Sequence, residues 1–118
     1  MKKIYHLSSC TTCQRILKET NADTKGFTLQ DIKLEKITPA QLDELRETAG
    51  SYEALFSRRA LKYKELGLKD KTLTEADYRR LILEEYTFLK RPVTVAGKKI
   101  IVGSEKKAVE ALKTLVSG

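Results

Sequence analysis

The sequence predicts an α/β protein in which helices pack on one mixed sheet. Strand-like and helix-like patterns alternate at the start of the chain, helices follow, and two strand-like runs joined by a tight turn precede a last helix. The 118 residues fit one domain and suffice for a hydrophobic core without disulfide bridges. We therefore expect a single domain over residues 1–118.

The first elements are predicted to form a β-α-β unit. Lys3–Leu7 is a β-prone run that ends at Ser8-Ser9, and the pattern becomes helical from Thr11. Lys25-Gly26 ends this helical segment, and Phe27–Ile32 then alternates apolar and polar residues as a half-buried strand does. Because such strand-helix-strand connections join parallel strands, the first two strands are expected to be parallel.

Several helices are predicted in the middle of the chain. Thr38 is the expected N-cap of a helix that Gly50 ends, and Thr74 begins a second helix with Asp77 three residues later. Between these two helices, residues from Tyr52 to Leu68 are typical of short helical pieces and loops. The apolar side of the second helix consists of Tyr78, Leu81 and Ile82.

A hairpin and a helix are predicted at the end of the chain. Val93–Val95 and Lys99–Val102 are strand-like runs joined by a tight turn at Ala96–Lys98, and Ser104 is the expected N-cap of the last helix. The expected buried side of that helix consists of Ala108, Val109, Ala111, Leu112, Leu115 and Val116. The whole order is the outline of a thioredoxin-like (glutaredoxin-like) fold with a helical insertion between its β-α-β and β-β-α halves.

The two cysteines lie where the first strand ends and the first helix begins, which is where a thioredoxin-like fold places its reactive thiol. Helix N-terminal N–H groups stabilise a thiolate, so Cys10 is the expected nucleophile. Cys13, one turn later, is placed to attack a mixed disulfide or sulfenate on Cys10. Thr11 and Thr12, between the cysteines, are candidate substrate-binding residues. The alternative is a pair of buried, inert cysteines.

His6 is the single histidine of the chain and precedes Cys10 by four residues. It is either a catalytic neighbour that orients the loop or tunes the thiolate, or an ordinary histidine at a strand end. Arg15, two residues after Cys13, could add positive charge near the thiol. Two cysteines and one histidine are too few for a usual zinc site, so no metal is expected.

Three arginines are candidates for binding an anionic substrate, because guanidinium N–H donors suit an oxyanion or a carboxylate. Arg58 and Arg59 lie in the irregular middle region, and Arg91 precedes Pro92. In a thioredoxin-like fold, a proline before the third strand faces the thiol, commonly with a cis peptide bond. We predict that Arg91–Pro92 is this bond and that Arg91 lies within reach of Cys10. The alternative for each arginine is a solvated surface charge.

The charge balance favours anionic partners. Twenty-three basic residues against 16 acidic ones give a net charge of +7, which suits an oxyanion, glutathione or an acidic protein surface. Direct nucleic-acid binding is not expected, because aromatic residues are not interleaved with the basic ones. The longest apolar runs fall short of the ~18 residues that span a bilayer, and the start of the chain lacks a signal-peptide apolar segment. We expect a cytoplasmic protein without a membrane partner.

The sequence resembles the ArsC/Spx family in its cysteine motif, its Arg-Pro pair and several shorter segments. This family contains the glutaredoxin-coupled arsenate reductases and their relatives. The similar segments span nearly the whole chain and comprise residues 5–10, Cys13, Gly50 with Arg58, residues 66–68 and residues 90–93. The resemblance implies a thiol-dependent reductase in which Cys10 attacks arsenate. Glutathione would be the co-substrate, glutaredoxin would complete the cycle, and no cofactor would be bound.

The resemblance also implies roles for the basic residues. Arg91 and one of Arg58 or Arg59 would clamp the arsenate oxygens, and His6 matches the histidine that precedes the catalytic cysteine of the reductases.

Two departures keep other branches of the family open. The reductases carry a third arginine in the final hairpin, where this sequence reads Ile100–Gly103, and they usually lack a counterpart of Cys13. Spx-type regulators have the Cys-x-x-Cys motif and a similar Arg-Pro pair, bind the RNA polymerase α subunit and use their disulfide as a redox switch. A further branch contains uncharacterised reductase-like proteins for which glutathione is the implied substrate.

Overall fold

The computed structural model describes residues 2–21 and 26–117, without the side chains of residues 116 and 117. The expected helix end at Lys25 and the expected burial of Val116 lie outside the described residues. The strands are β1 (Lys2–His6), β2 (Thr28–Asp31), β3 (Val93–Ala96) and β4 (Lys99–Val102). The helices are α1 (Thr11–Thr20), α2 (Pro39–Ala49), α3 (Leu61–Glu65), α4 (Glu75–Glu84) and α5 (Lys106–Ser117). Among the described residues, short 3₁₀ helices occupy Glu53–Leu55, Leu68–Asp70 and Tyr86–Phe88.

The chain divides into two compact units. The first contains Met1–Lys36 and Arg91–Gly118, and the second contains Ile37–Lys90. The first unit therefore carries all four of these strands with α1 and α5, and the second carries α2, α3 and α4. The single domain over residues 1–118 stays a prediction. Within the described ranges, no helix combines the length and the apolar character that crossing a membrane requires.

The strands of the first unit form one mixed sheet with the order β2-β1-β3-β4. β1 runs parallel to β2, whereas β3 is antiparallel to both β1 and β4. The predicted parallel first pair and the predicted final hairpin are confirmed. This is the expected α/β, thioredoxin-like order, with the β-α-β and β-β-α halves on either side of the helical insertion in the sequence.

One face of the sheet forms an apolar core with α1 and α5. The register aligns Ile4, Thr94 and Ile101 across the three neighbouring strands β1, β3 and β4. Ile16 of α1 and Leu112 of α5 join Ile4 and Ile101 in this core. Thr94 is only 1% exposed, and its hydroxyl has no hydrogen-bond partner among the described residues.

Replacing Thr94 with valine is expected to raise the free energy of unfolding by about 1 kcal/mol, because an unpartnered buried hydroxyl costs roughly 1–3 kcal/mol and valine has nearly the same shape. Urea denaturation of both proteins measures the change. Thr20→Val is the matched control, because the buried Thr20 hydroxyl donates to the Ile16 carbonyl at 2.8 Å. The control should not gain stability. A destabilised Thr94→Val protein would contradict the prediction.

The second unit has its own aromatic core around Phe56, which is fully buried. Its ring centroid lies 4.9 Å from that of Tyr78 and 5.0 Å from that of Phe88. Two backbone hydrogen bonds join the residues on either side of Phe56 to the segment that follows α4. Ser57 N donates to the Phe88 carbonyl at 2.7 Å, and Lys90 N donates to the Leu55 carbonyl at 2.8 Å. The segment around Phe56 is therefore paired with the segment around Leu89, which follows α4, within this unit.

The predicted starts of α2 and α4 are confirmed. Thr38 forms a capping box with Gln41, and Thr74 forms one with Asp77. Each threonine hydroxyl accepts the N–H three residues later, while the side chain at that position accepts the backbone N–H of the threonine. Gly50 ends α2 in the left-handed conformation, at φ 97°.

The end of the chain departs from the sequence-based expectations in three places. Ala96 pairs with Lys99, so the hairpin turn has two residues instead of the expected three. Val109 N donates the first helical hydrogen bond of α5 to the Glu105 carbonyl at 3.0 Å. The N-cap is therefore Glu105, and the expected cap at Ser104 is wrong by one residue. Ala111 is exposed, contrary to expectation, because it lies about 100° around the helix from the buried Leu112.

The first two strands also differ in detail from the predicted runs. β1 is displaced by one residue toward the N-terminus from the predicted Lys3–Leu7. In β2 it is Gln30 that is buried, whereas Leu29 is partly exposed. The amide of Gln30 donates to the Glu35 carbonyl at 3.0 Å, and this bond allows a polar side chain to be buried where the alternation predicts an apolar one.

Candidate active site at the start of the first helix

Cys10 occupies the N-cap position of α1, directly after the turn that follows β1. Its backbone N–H donates to the Leu7 carbonyl at 3.0 Å, and its own carbonyl accepts from Gln14 N at 3.1 Å. These two bonds hold the residue between the turn and the helix. Cys10 is half-buried, so part of the residue is open to solvent.

The pKa of the Cys10 thiol lies below its ordinary value. Burial alone would raise this pKa, but hydrogen bonds from the Cys13 N–H, the Cys13 thiol and the Thr12 N–H favour the thiolate and outweigh burial. The positive charge of Arg91 acts in the same direction. The expectation that the helix start lowers the pKa of this thiol is confirmed.

Cys13 differs from Cys10 in both exposure and ionisation. It is 0% exposed, and burial, together with its hydrogen bond to Cys10, raises the pKa of its thiol to about 12. Both cysteines are free thiols. Cys13 is therefore a neutral donor to the Cys10 sulfur, and Cys10 is the member of the pair that ionises.

His6 contacts the turn that carries Cys10 through Gln14. The Nε2 atom of Gln14 lies 3.2 Å from His6 Nδ1 and 3.1 Å from the Leu7 carbonyl oxygen. Burial lowers the pKa of His6, and the negative charge of Asp31 opposes this shift only in part. Sequence reasoning missed Gln14. Its position one turn after Cys10 is a usable signal, because helical side chains point back toward the N-terminus.

Asp31 is a second residue that sequence reasoning missed. It pairs with His6 in the register of β1 and β2, and its carboxylate accepts hydrogen bonds from Ser8 and from Lys33 N, the latter at 3.1 Å. Burial acts to raise the pKa of Asp31, but the bonds from Ser8 and Lys33 lower it overall. The ionised carboxylate of Asp31 therefore binds Ser8 of the turn to the end of β2.

The predicted cis peptide bond between Arg91 and Pro92 is confirmed. Pro92 is buried, and its carbonyl accepts from Gly103 N at 2.9 Å. Arg91 is half-buried, and its charge lowers the pKa of Cys10, which agrees with its expected place near the thiol. Arg15 instead forms an ion pair with Glu19 at 3.8 Å.

The remaining candidate residues have separate surroundings. Thr11 is exposed at the first position of α1, and Arg59 is exposed in the second unit. Arg58, also in the second unit, donates to Glu53 at 2.8 Å and to the Tyr78 hydroxyl at 3.2 Å. Oxyanion binding by Arg58 or Arg59 stays a prediction. The described residues contain no cluster of three metal-ligating side chains.

Comparison with known proteins links this geometry to one family. The sequence model of the ArsC family matches residues 5–112. An uncharacterized protein of Bacillus subtilis, YusI, is 28% identical over 111 residues, or 90% of this chain and 92% of that protein. The regulatory protein MgsR of the same organism is 25% identical over 100 residues, or 84% of this chain and 79% of that protein. The crystal structure of a possible arsenate reductase from Streptococcus mutans matches with a TM-score of 0.75 and 27% identity, covering 95% of this chain and 97% of that one.

Proposed function

Since this chain belongs to the ArsC family, we propose that it is a thiol-dependent reductase of the arsenate reductase type with Cys10 as its nucleophile. The observation that carries the proposal is the lowered pKa of Cys10 at the N-terminus of α1 beside Arg91. A thiolate is the reactive form of cysteine, and a position at a helix start next to a cation is typical of catalytic thiols.

The proposed reaction uses two thiols. The Cys10 thiolate attacks the arsenic atom of arsenate, and an S–As bond forms as water leaves. The thiolate of glutathione then attacks the Cys10 sulfur, which breaks the S–As bond and releases arsenite. The new disulfide accounts for the two electrons that reduce As(V) to As(III). Glutaredoxin, or a second glutathione, reduces the mixed disulfide and restores the Cys10 thiol.

Arg91 has two tasks in this proposal. Its charge favours the thiolate form of Cys10, and its guanidinium N–H groups bind the arsenate oxygens. The net charge of +7 supports an anionic substrate and an anionic co-substrate such as glutathione. A mixed disulfide of glutathione carries the carboxylates of glutathione beside an electrophilic sulfur, so it is the second substrate to test.

The proposal is tested by arsenate-dependent NADPH oxidation in the presence of glutathione, glutathione reductase and glutaredoxin. We expect turnover by the wild-type protein and a loss of about tenfold or more in kcat/KM for Arg91→Gln, since a charge-assisted hydrogen bond is worth roughly 1.5–3 kcal/mol. Arg15→Gln is the matched control, because Arg15 is ion-paired with Glu19 on the exposed side of α1. Absence of turnover with both arsenate and a glutathione mixed disulfide would contradict the proposal.

A redox-switched regulator is the second candidate function. It is favoured by the hydrogen bond between the two thiols, which places them close enough to form a disulfide, and by the similarity to the regulatory protein MgsR. In this proposal, oxidation of Cys10 and Cys13 changes the affinity for the RNA polymerase α subunit. Binding of the reduced and the oxidised protein to the purified C-terminal domain of that subunit tests it, and equal or absent binding in both states would contradict it.

A further inference from the structure

Gln14 holds both ends of the turn that carries Cys10. Its backbone N–H donates to the Cys10 carbonyl at 3.1 Å, and its side-chain amide donates to the Leu7 carbonyl at 3.1 Å. The same Leu7 carbonyl accepts the N–H of Cys10 at 3.0 Å. The turn from Leu7 to Cys10 is thus hydrogen-bonded to α1 at both ends. The side chain of Gln14 binds its first residue, and the backbone of Gln14 binds its last residue.

The orientation of the Gln14 amide follows from its partners. A backbone carbonyl can only accept, so the amide atom facing Leu7 is the NH₂ group. This NH₂ group also faces Nδ1 of His6 at 3.2 Å, and Nδ1 must therefore be the acceptor. The neutral His6 ring then carries its proton on Nε2.

We propose that Gln14 is a positioning residue that sets the Cys10 thiolate at the start of α1 and fixes the Nε2–H tautomer of His6. The inference rests on the proposed function in one respect, namely that Cys10 is the nucleophile. The backbone N–H groups of Thr12 and Cys13 donate hydrogen bonds to the Cys10 sulfur. These bonds can form only while the turn holds Cys10 at the start of α1. Loss of the Gln14 side-chain bonds leaves the Leu7 carbonyl with the Cys10 N–H as its remaining donor described above, which loosens the turn and weakens the contacts that favour the thiolate.

Two substitutions separate the chemistry of the side chain from its bulk. Gln14→Met keeps the length of the side chain and removes its donor. Gln14→Glu keeps the shape but presents only acceptors to the Leu7 carbonyl and to His6. Each variant should be alkylated by iodoacetamide at Cys10 about fivefold more slowly at pH 7 than the wild type, the factor that one neutral hydrogen bond typically contributes. Mass spectrometry assigns the label to Cys10.

The single histidine of the chain gives an independent readout by ¹⁵N NMR. The wild-type protein should show the Nε2–H tautomer. In Gln14→Glu, His6 should instead carry a proton on Nδ1, donated to the new carboxylate, with the nearby Asp31 charge assisting protonation. Lys18→Met, an exposed position farther along α1, is the control and should change neither the alkylation rate nor the histidine spectrum.

The outcomes distinguish this inference from the proposed function. A wild-type Nδ1–H tautomer, or lower thermal stability in both variants without any change in the alkylation profile, would overturn the positioning role. An ordinary alkylation profile of wild-type Cys10 would count against the proposed function, while the histidine spectra would still decide the role of Gln14. Neither readout requires a substrate.

Discussion

Replacing Cys10 with serine is expected to abolish arsenate-dependent turnover, with a loss of roughly a thousandfold or more, because no other group of the site replaces a missing nucleophile. The contacts that favour a thiolate at this position, from the N–H groups of α1 and from Arg91, do not suffice to ionise a serine hydroxyl near neutral pH. The coupled NADPH assay measures the loss. Turnover that survives Cys10→Ser would contradict the assignment of the nucleophile.

Cys13 provides the matched control for this experiment. Cys13→Ser retains a hydroxyl that can donate to the Cys10 sulfur, so most of the turnover should remain when glutathione supplies the second thiol. Cys13→Ala lacks that donor and should react more slowly than Cys13→Ser. If Cys13→Ser is as inactive as Cys10→Ser, Cys13 takes part covalently, and the two-thiol reaction proposed above is wrong in its second step.

Replacing Phe56 with alanine is expected to lower the free energy of unfolding by about 3–5 kcal/mol, the usual cost of removing a large buried ring. Phe56 is fully buried, and the rings of Tyr63, Tyr78 and Phe88 lie within 6.1 Å of it, so the cavity would be lined by aromatic groups that cannot all collapse into it. Against a typical total of about 5–15 kcal/mol, this loss is large. Urea denaturation followed by circular dichroism measures it.

Leu61→Ala is the control for the Phe56 substitution. Leu61 belongs to the same unit but is 79% exposed, so its truncation should change the free energy of unfolding by no more than about 0.5 kcal/mol. Equal losses for the two substitutions would contradict the assignment of Phe56 to the core of the second unit.

The helix starts at Thr38 and Thr74 could be predicted because a capping box is a local arrangement of residues three positions apart. Other details depend on partners that a local pattern does not contain. Gln30 is buried because the Glu35 carbonyl accepts its amide, and no alternation of apolar and polar residues reveals that bond. Ala111 has an apolar side chain like its neighbours, but small side chains give little information about which side of a helix faces the core.

In the candidate site, too, some features could be predicted from the sequence and others could not. Cys10 and the cis bond at Arg91–Pro92 could be predicted, because a thiol at a helix start and a proline before the third strand are recognisable from their places in the order of elements. The position of Gln14, one turn after Cys10, could have marked it as a neighbour of the site, but its bonds to His6 and Leu7 and the bond between Asp31 and Ser8 could not be predicted, because they cross the turn. For Asp31 the parallel register of β1 and β2, which pairs it with His6, is the missing information.

The place of β1 in the sheet has a consequence for the order of folding. β1 pairs on one side with β2, which follows closely in the sequence, and on the other side with β3, where Ile4 meets Thr94. Contacts so far apart in the sequence form late, because closing a long loop costs entropy before the pairing repays it. Arg91 lies just before β3, so its charge can lower the pKa of Cys10 only once β3 has paired with β1. We therefore expect the thiol of a chain that still lacks β3 to react more slowly with iodoacetamide than the thiol of the folded protein.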